Sequence, residues 1–447
     1  MSGCKKQPAL YKSRLTLTTV ISLPITMLYN SYSRTRLLLQ RLATAGLLLL
    51  LIAGCDSAGT SEEAPPPPRP LTATEKHVVD TDNTFGLKLL RATVDAETPS
   101  TNVFLSPISV SMALGMTLNG ARGETRAAME TALEKQDLSP AEINDAYRGL
   151  IDLLEGLDPN VEMALANSIW YRKGLPVKQA FIDTNRTHFD AKVAGLDFSA
   201  PTASDRINSW VNDETRGTIS EIVSDQIPKR IVMYLINATY FKGQWRNQFD
   251  PAKTEREPFH RADGSTVSVP MMEKTEDVVH PTYATKGFQA VDIAYGDSLY
   301  SMTILLPNKE ASVREVVDSL DTETWTRLTE RLSPQEFSRL KMPKFTLHYK
   351  KELSDVLTDL RMGVAFTDQA NFRNIADTSL AISKVKHKTF LKVDEEGTEA
   401  SGATSVGVGV VSTPPSFVVN RPFVVVIREN HSGTILFIGT VMDPTAG

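Results

Sequence analysis

The chain has 447 residues, 41% hydrophobic and 23% charged, with a formal net charge of −5. That balance suits a soluble globular protein with a substantial core and, implying no basic face, sets nucleic acid aside as a main partner. Cys4 and Cys55 are the only cysteines, so the remainder of the chain holds neither a disulfide nor a cysteine metal site, and no cofactor is implied.

Arg34, Arg36 and Arg41 precede a mostly leucine run at 42–53, which ends in Ile-Ala-Gly-Cys at 52–55. A charged start, a short apolar core and small residues before a cut describe a secretory signal. The run is well short of the roughly 20 residues that a spanning helix needs. The cysteine after Gly54 resembles the lipidation box of bacterial lipoproteins. That resemblance implies that Cys55 carries the lipid, becomes the mature N-terminus and anchors the protein in the cell envelope or outside it. Residues 1–26 look unlike any part of such a signal, and translation from Met27 is the alternative start. Four consecutive prolines at 65–68 close a polar stretch that cannot bury a core and reads as a semi-rigid tether. The expected division is 1–54 extension and signal, 55–70 tether, and 71–447 one domain.

Within that domain Phe85, Leu89 and Leu90 fall at helical spacing, as do apolar residues of 108–118, and 142–154 reads as another helix. Strand-like runs follow at 161–170, 231–241, 299–306, 381–393, 417–428 and 435–441. Helices crowd the first third and strands the rest, an α+β pattern. Lys384, Lys386 and Lys388 alternate along a strand pattern and read as a solvated strand face.

No catalytic constellation is present. HExxH and the phosphate-cradling G-x-x-x-x-G-K-[ST] are absent, and Ser405 misses the G-x-S-x-G spacing of a nucleophile elbow. The chain is not expected to be an enzyme.

The run 394–415, DEEGTEASGATSVGVGVVSTPP, is nearly free of bulky side chains and lies between two strand-like segments. With period two, Thr398, Ala400, Gly402, Thr404, Val406 and Val408 share one face that grows more apolar, as a half-buried strand requires. Its glycines and the Pro414-Pro415 stop equally suit an exposed loop. A segment suited to both states is a candidate switch.

Three blocks carry a resemblance: 383–403 with 417–444, NVFLSPISVSMALGMTLNGARGET at 102–125, and LINATYFKGQWRNQF at 235–249. Together they resemble the serpins from about Leu71 to Pro444. The resemblance implies one α+β domain with three β-sheets, about eight or nine helices and an exposed reactive loop at about 395–416. It implies a monomeric suicide inhibitor whose partner is a serine protease, held as a covalent acyl complex while the loop inserts into the central sheet. Family spacing from Gly397 and from Asn-Arg-Pro-Phe at 420–423 puts the reactive bond at Val411–Ser412, a small β-branched residue suited to elastase-like pockets. The hinge residues it implies are Glu395, Gly397, Thr398, Ala400, Gly402 and Ala403, with Glu395 and Glu399 on exposed sides. Ser106, Ser109, Asn237 and His387 match a "shutter" of buried side chains that hydrogen-bond one another, and Trp245 matches the tryptophan where insertion begins. The competing readings are a non-inhibitory member acting as a chaperone or binding protein, and an envelope structural protein that kept the fold. Gly407 and Gly409 lower strand propensity late in the loop and predict slower insertion.

Overall fold

The computed structural model describes residues 67–275, 278–398 and 414–446. Thr72 starts the first helix, α1 (Ala73–Asp95), by accepting from the Glu75 amide while the Glu75 carboxylate takes the Thr72 amide, so donors left open at the helix start are satisfied. Just ahead, Arg69 forks onto the same carboxylate at 2.6 and 3.0 Å and donates to the Gly149 carbonyl. The carbonyl of Arg69 accepts from His431.

The other helices are α2 (Pro107–Leu118), α3 (Gly123–Ala132), α4 (Pro140–Leu154), α5 (Gln179–Phe189), α6 (Thr202–Glu214), α7 (Val313–Ser319), α8 (Thr322–Glu330) and α9 (Ser354–Leu357). Apolar nearly all round, α2 is buried nearly all round, as a helix without a polar face must be.

The strands are β1 (Val103–Leu105), β2 (Val161–Arg172), β3 (Lys192–Leu196), β4 (Met233–Gln244), β5 (Glu255–His260), β6 (Thr266–Lys274), β7 (Val279–Ala284), β8 (Phe288–Tyr295), β9 (Tyr300–Pro307), β10 (Ser333–Glu336), β11 (Arg339–Pro343), β12 (Phe345–Glu352), β13 (Lys386–Val393), β14 (Gly397–Thr398), β15 (Ser416–Val418), β16 (Phe423–Glu429) and β17 (Ile435–Val441). One sheet runs β1-β17-β16-β9-β8-β7-β10, and every residue of β9, β16 and β17 in it is buried. A second runs β15-β11-β6-β5.

The third sheet is in two parts, β14-β4-β2-β3 and β12-β13. Among the described residues no ladder joins β4 to β13, and only the two-residue β14 reaches across at one end. Behind this sheet α2 packs on β4, and α6 covers the other face through Ile207, Trp210 and Val211 against Trp170, Ile236 and Ala238. The expected α+β architecture is present.

Two strand expectations need correction. The run at 381–393 becomes strand only at Lys386, and 417–428 is broken between Val418 and Phe423. Pro422 has no amide to give a ladder, so the chain leaves one sheet there and enters another. The later helices α7–α9 are short, which is why strand patterns dominated that stretch of sequence.

Candidate functional site: the parted sheet and its hinge

After β13 the chain turns through Asp394, Glu395 and Glu396, and the Asp394 amide donates to the Gly397 carbonyl at 3.0 Å. Gly397 has φ +146°, and a Cβ there would stand 2.2 Å from the Gly243 carbonyl oxygen. Only glycine allows β14 to lie this close to β4. The pairing is antiparallel, Gly397 opposite Gln244 and Thr398 opposite Gly243.

Trp245 fixes the turn from the other side. Its amide donates to the Glu396 carbonyl at 3.0 Å, and its indole N–H donates to the Asp394 carbonyl at 2.9 Å. The Phe249 amide donates to the Glu395 carbonyl. The indole stacks on Tyr295 with centroids 4.4 Å apart, and the Tyr295 hydroxyl meets the Thr398 hydroxyl at 3.0 Å. Burial holds the Tyr295 phenol well above its ordinary pKa, so it stays protonated and able to donate. Thr398 is therefore already buried.

Glu395 is buried too, at 7% exposure, which corrects the expectation of an exposed side. Its carboxylate accepts from Thr254 at 2.8 Å and Lys344 at 2.6 Å. Burial alone would raise its pKa; the bonds from Lys344 and Thr254 outweigh burial and hold it below the usual value. Glu395 is buried because the turn at 394–396 and the left-handed Gly397 separate it from the alternation that starts at Thr398.

Further down the opening the polar groups divide between its walls. On the β13 side, His387 accepts from the Ser106 amide at 3.1 Å through Nε2, so any ring proton lies on Nδ1. Burial pushes its pKa down to about 4, and at neutral pH the ring is uncharged. On the β4 side, Asn237 donates to the Asn167 side chain at 2.9 Å and accepts from Thr239 at 2.8 Å. Asn237, His387 and Ser109 all line the cleft between the strands. The expected network of mutual side-chain bonds is not formed: Asn237 pairs within its own half-sheet, and the buried Ser106 hydroxyl has no partner among the described residues. The two strands that carry them are unpaired here, which keeps the groups apart.

Tyr295, Lys344, Thr254 and Asn167 were not singled out in the sequence, where nothing marks them; their parts depend on contacts far apart along the chain. Ala400, Gly402, Ala403, Val411, Ser412 and Cys55 lie outside the described residues. Among the described residues no helix is long and apolar enough to cross a membrane.

An α+β fold with a parted central sheet, entered at one end by the start of a C-terminal loop, defines the class of protein. The chain belongs to the serpin family, whose model, described as serine protease inhibitor, matches residues 80–444. It is 34% identical to Serpin-Z7 of Hordeum vulgare over 80% of this chain and 94% of that protein. With corticosteroid-binding globulin of Homo sapiens it shares 31% over 78% of this chain and 86% of that protein. Among solved structures, the native state of the thermophilic serpin tengpin matches with TM-score 0.75 at 30% identity, covering 85% of this chain and 97% of tengpin. Human thyroxine-binding globulin complexed with its hormone matches with TM-score 0.76 at 28% identity, covering 83% and 100%. Serpins are in general inhibitors of serine proteases and not catalysts.

Proposed function

We propose that this protein inhibits an elastase-like serine protease as a suicide substrate. The protease serine attacks the Val411 carbonyl and is acylated by it, Ser412 leaves as a new amino terminus, and the freed strand enters the sheet between β4 and β13 before water releases the acyl group. The observation that carries this reading is the register at the hinge. Each further loop residue moves one position back along β4, so residues 397–408 would match all 12 residues of that strand. On the other side, the Asp394–Gly397 hydrogen bond sets a register on β13 that brings the same loop residues opposite it. In both registers Thr404 falls between Asn237 and His387, and small side chains at Ala400 and Gly402 pass the crowded upper part. Both walls present strand edges that are unpaired among the described residues, and a strand that pairs with each satisfies them.

Incubation with an elastase-like protease tests the proposal. The expected result is an SDS-stable adduct, a released peptide that begins at Ser412, and a higher melting temperature after loop cleavage. Turnover without adduct or thermal gain would favour the binding-protein reading, for which two relatives named as hormone-binding globulins give some support. A cut elsewhere in the loop would remove the Val411 assignment alone.

The location proposed is the bacterial cell envelope, through a lipid on Cys55 and the tether that follows it. Cys55→Ser is expected to release the protein from membranes or to block its processing; unchanged mass and membrane association would count against the anchor.

A further inference from the structure

The lower part of the opening between β4 and β13 is a cleft of about 190 Å³. Its walls are largely apolar: Leu114 of α2, Met233 and Leu235 of β4, Ile222 from the connection after α6, and Phe372 and Ile382 from the segment before β13. A dry apolar cavity of about 150 Å³ is already large enough to hold a benzene-sized molecule.

The charged side chains that line it are all of one sign, with Glu221 and Glu352 close by outside the lining. Arg230, Lys384, Lys386 and Lys388 line the cleft, and among the described residues no aspartate or glutamate does. The whole chain carries 53 acidic against 48 basic residues, so this lining runs opposite to the chain's own balance. The amines of Lys386 and Lys388 donate to the backbone carbonyls of Ile222 and Glu221 across the cleft. Arg230 and Lys384 are exposed and form no ion pair among the described residues. The nearby Glu352 is engaged by Ser354 and the Val385 amide. Burial, then the charges of Lys350 and Lys384, hold the Lys386 amine below its ordinary pKa, a strain that an anion at the rim relieves. At the deep end the neutral His387 and Asn237 supply no charge.

An apolar slot closed by a cationic rim is complementary to one kind of small molecule. We infer that the cleft binds a single-chain anionic amphiphile, a medium-chain carboxylate, with its alkyl chain between Met233, Leu235 and Ile382 and its carboxylate at Arg230 and Lys384. Such a ligand fills the space that the later part of the loop needs, and so opposes insertion. That last consequence rests on the proposed function; the binding itself does not.

Calorimetric titration of the intact protein with decanoate, decanol and decyltrimethylammonium, each below its micellar concentration, tests the inference. Decanoate is expected to bind saturably at one site, more weakly as salt is raised, with decanol about tenfold weaker and the cation not binding. The double variant Arg230→Glu with Lys384→Glu, both exposed positions, should lose about tenfold for decanoate and little for decanol. Met233→Trp, which fills the slot, should abolish binding of both; should that variant fail to fold, the charge variant decides. Absence of saturable binding, equal affinity for decanoate and decanol, or an unaffected charge variant overturns the inference. Loop-cleaved protein that has gained thermal stability should no longer bind decanoate, and retained binding there would put the site elsewhere. Cleaved protein that gains no stability counts against insertion, and the intact-protein titration then stands alone.

Discussion

The two ends of the opening between β4 and β13 are built on opposite plans. At the end occupied by β14, three backbone carbonyls from Asp394 to Glu396 accept from Trp245 and Phe249, the Glu395 carboxylate has two donors, and Thr398 has a hydroxyl partner. At the other end the polar groups belong to separate walls, a buried Ser106 hydroxyl is unpaired among the described residues, and the space between is a cleft. Adding a strand to a sheet is costly mainly at its first pairs, where chain ends must be brought together before hydrogen bonds accumulate. Here the first two pairs exist before any cleavage. The closed end sets the register, and the open end supplies unmet bonding for the strand that follows.

A charge at the closed end attacks this comparison most strongly. Thr398→Arg places an unpaired cation against Tyr295 in a buried site and should lower native stability by about 3 kcal/mol or more. In the proposed insertion Thr404 falls between Asn237 and His387, so Thr404→Arg is expected to lower the yield of covalent adduct while costing the uncleaved protein less stability than Thr398→Arg. Denaturant melts and adduct assays on the pair measure this; if both variants melt alike, the closed end is no more fixed than the rest of the opening.

Acid titration probes the open end at intermediate cost. His387 has an ordinary pKa of 6.5 and a folded value near 4, so the unfolded chain takes up the proton first. Its contribution is fully present above pH 6.5 and is lost as pH falls toward 4, at about 1.4 kcal/mol per pH unit within that window. His280, buried in the large sheet and also lowered to about 4, acts in the same direction. Melts of wild type and His387→Gln between pH 7 and pH 5 should show a shallower loss for the variant, with His280 contributing to the remainder. Identical slopes would mean that His387 is not held neutral by the core.

The smallest effect is expected at Ser106. Its buried hydroxyl has no partner among the described residues, so Ser106→Ala removes a desolvated polar group and should leave the melting point unchanged or raise stability by up to about 1 kcal/mol. A clear loss would show that the hydroxyl is satisfied in solution and that the two ends differ less than described.

Much of this was legible in the chain because it depends on neighbours in sequence. The alternation of 161–170 and the apolar run of 435–441 mark buried strands. Gly397 was found as a hinge through the family resemblance, and its contact with Gly243 shows why glycine is needed there. What could not be read depends on partners distant in sequence: Lys344 on Glu395, Tyr295 on Thr398, and Asn167 on Asn237. The mutual hydrogen bonds expected of Asn237 and His387 presuppose strands that touch, and whether β4 and β13 touch is a property of the whole sheet.

The clasp at Arg69 has a mechanical consequence. It joins the chain ahead of α1 to Glu75, to Gly149 and to His431 in the turn between β16 and β17. None of these belongs to β4, β13 or the hinge. A pull arriving from the N-terminal side therefore meets the helix start and the turn of the large sheet first, and reaches the parted sheet only through the packing of α2 and α4.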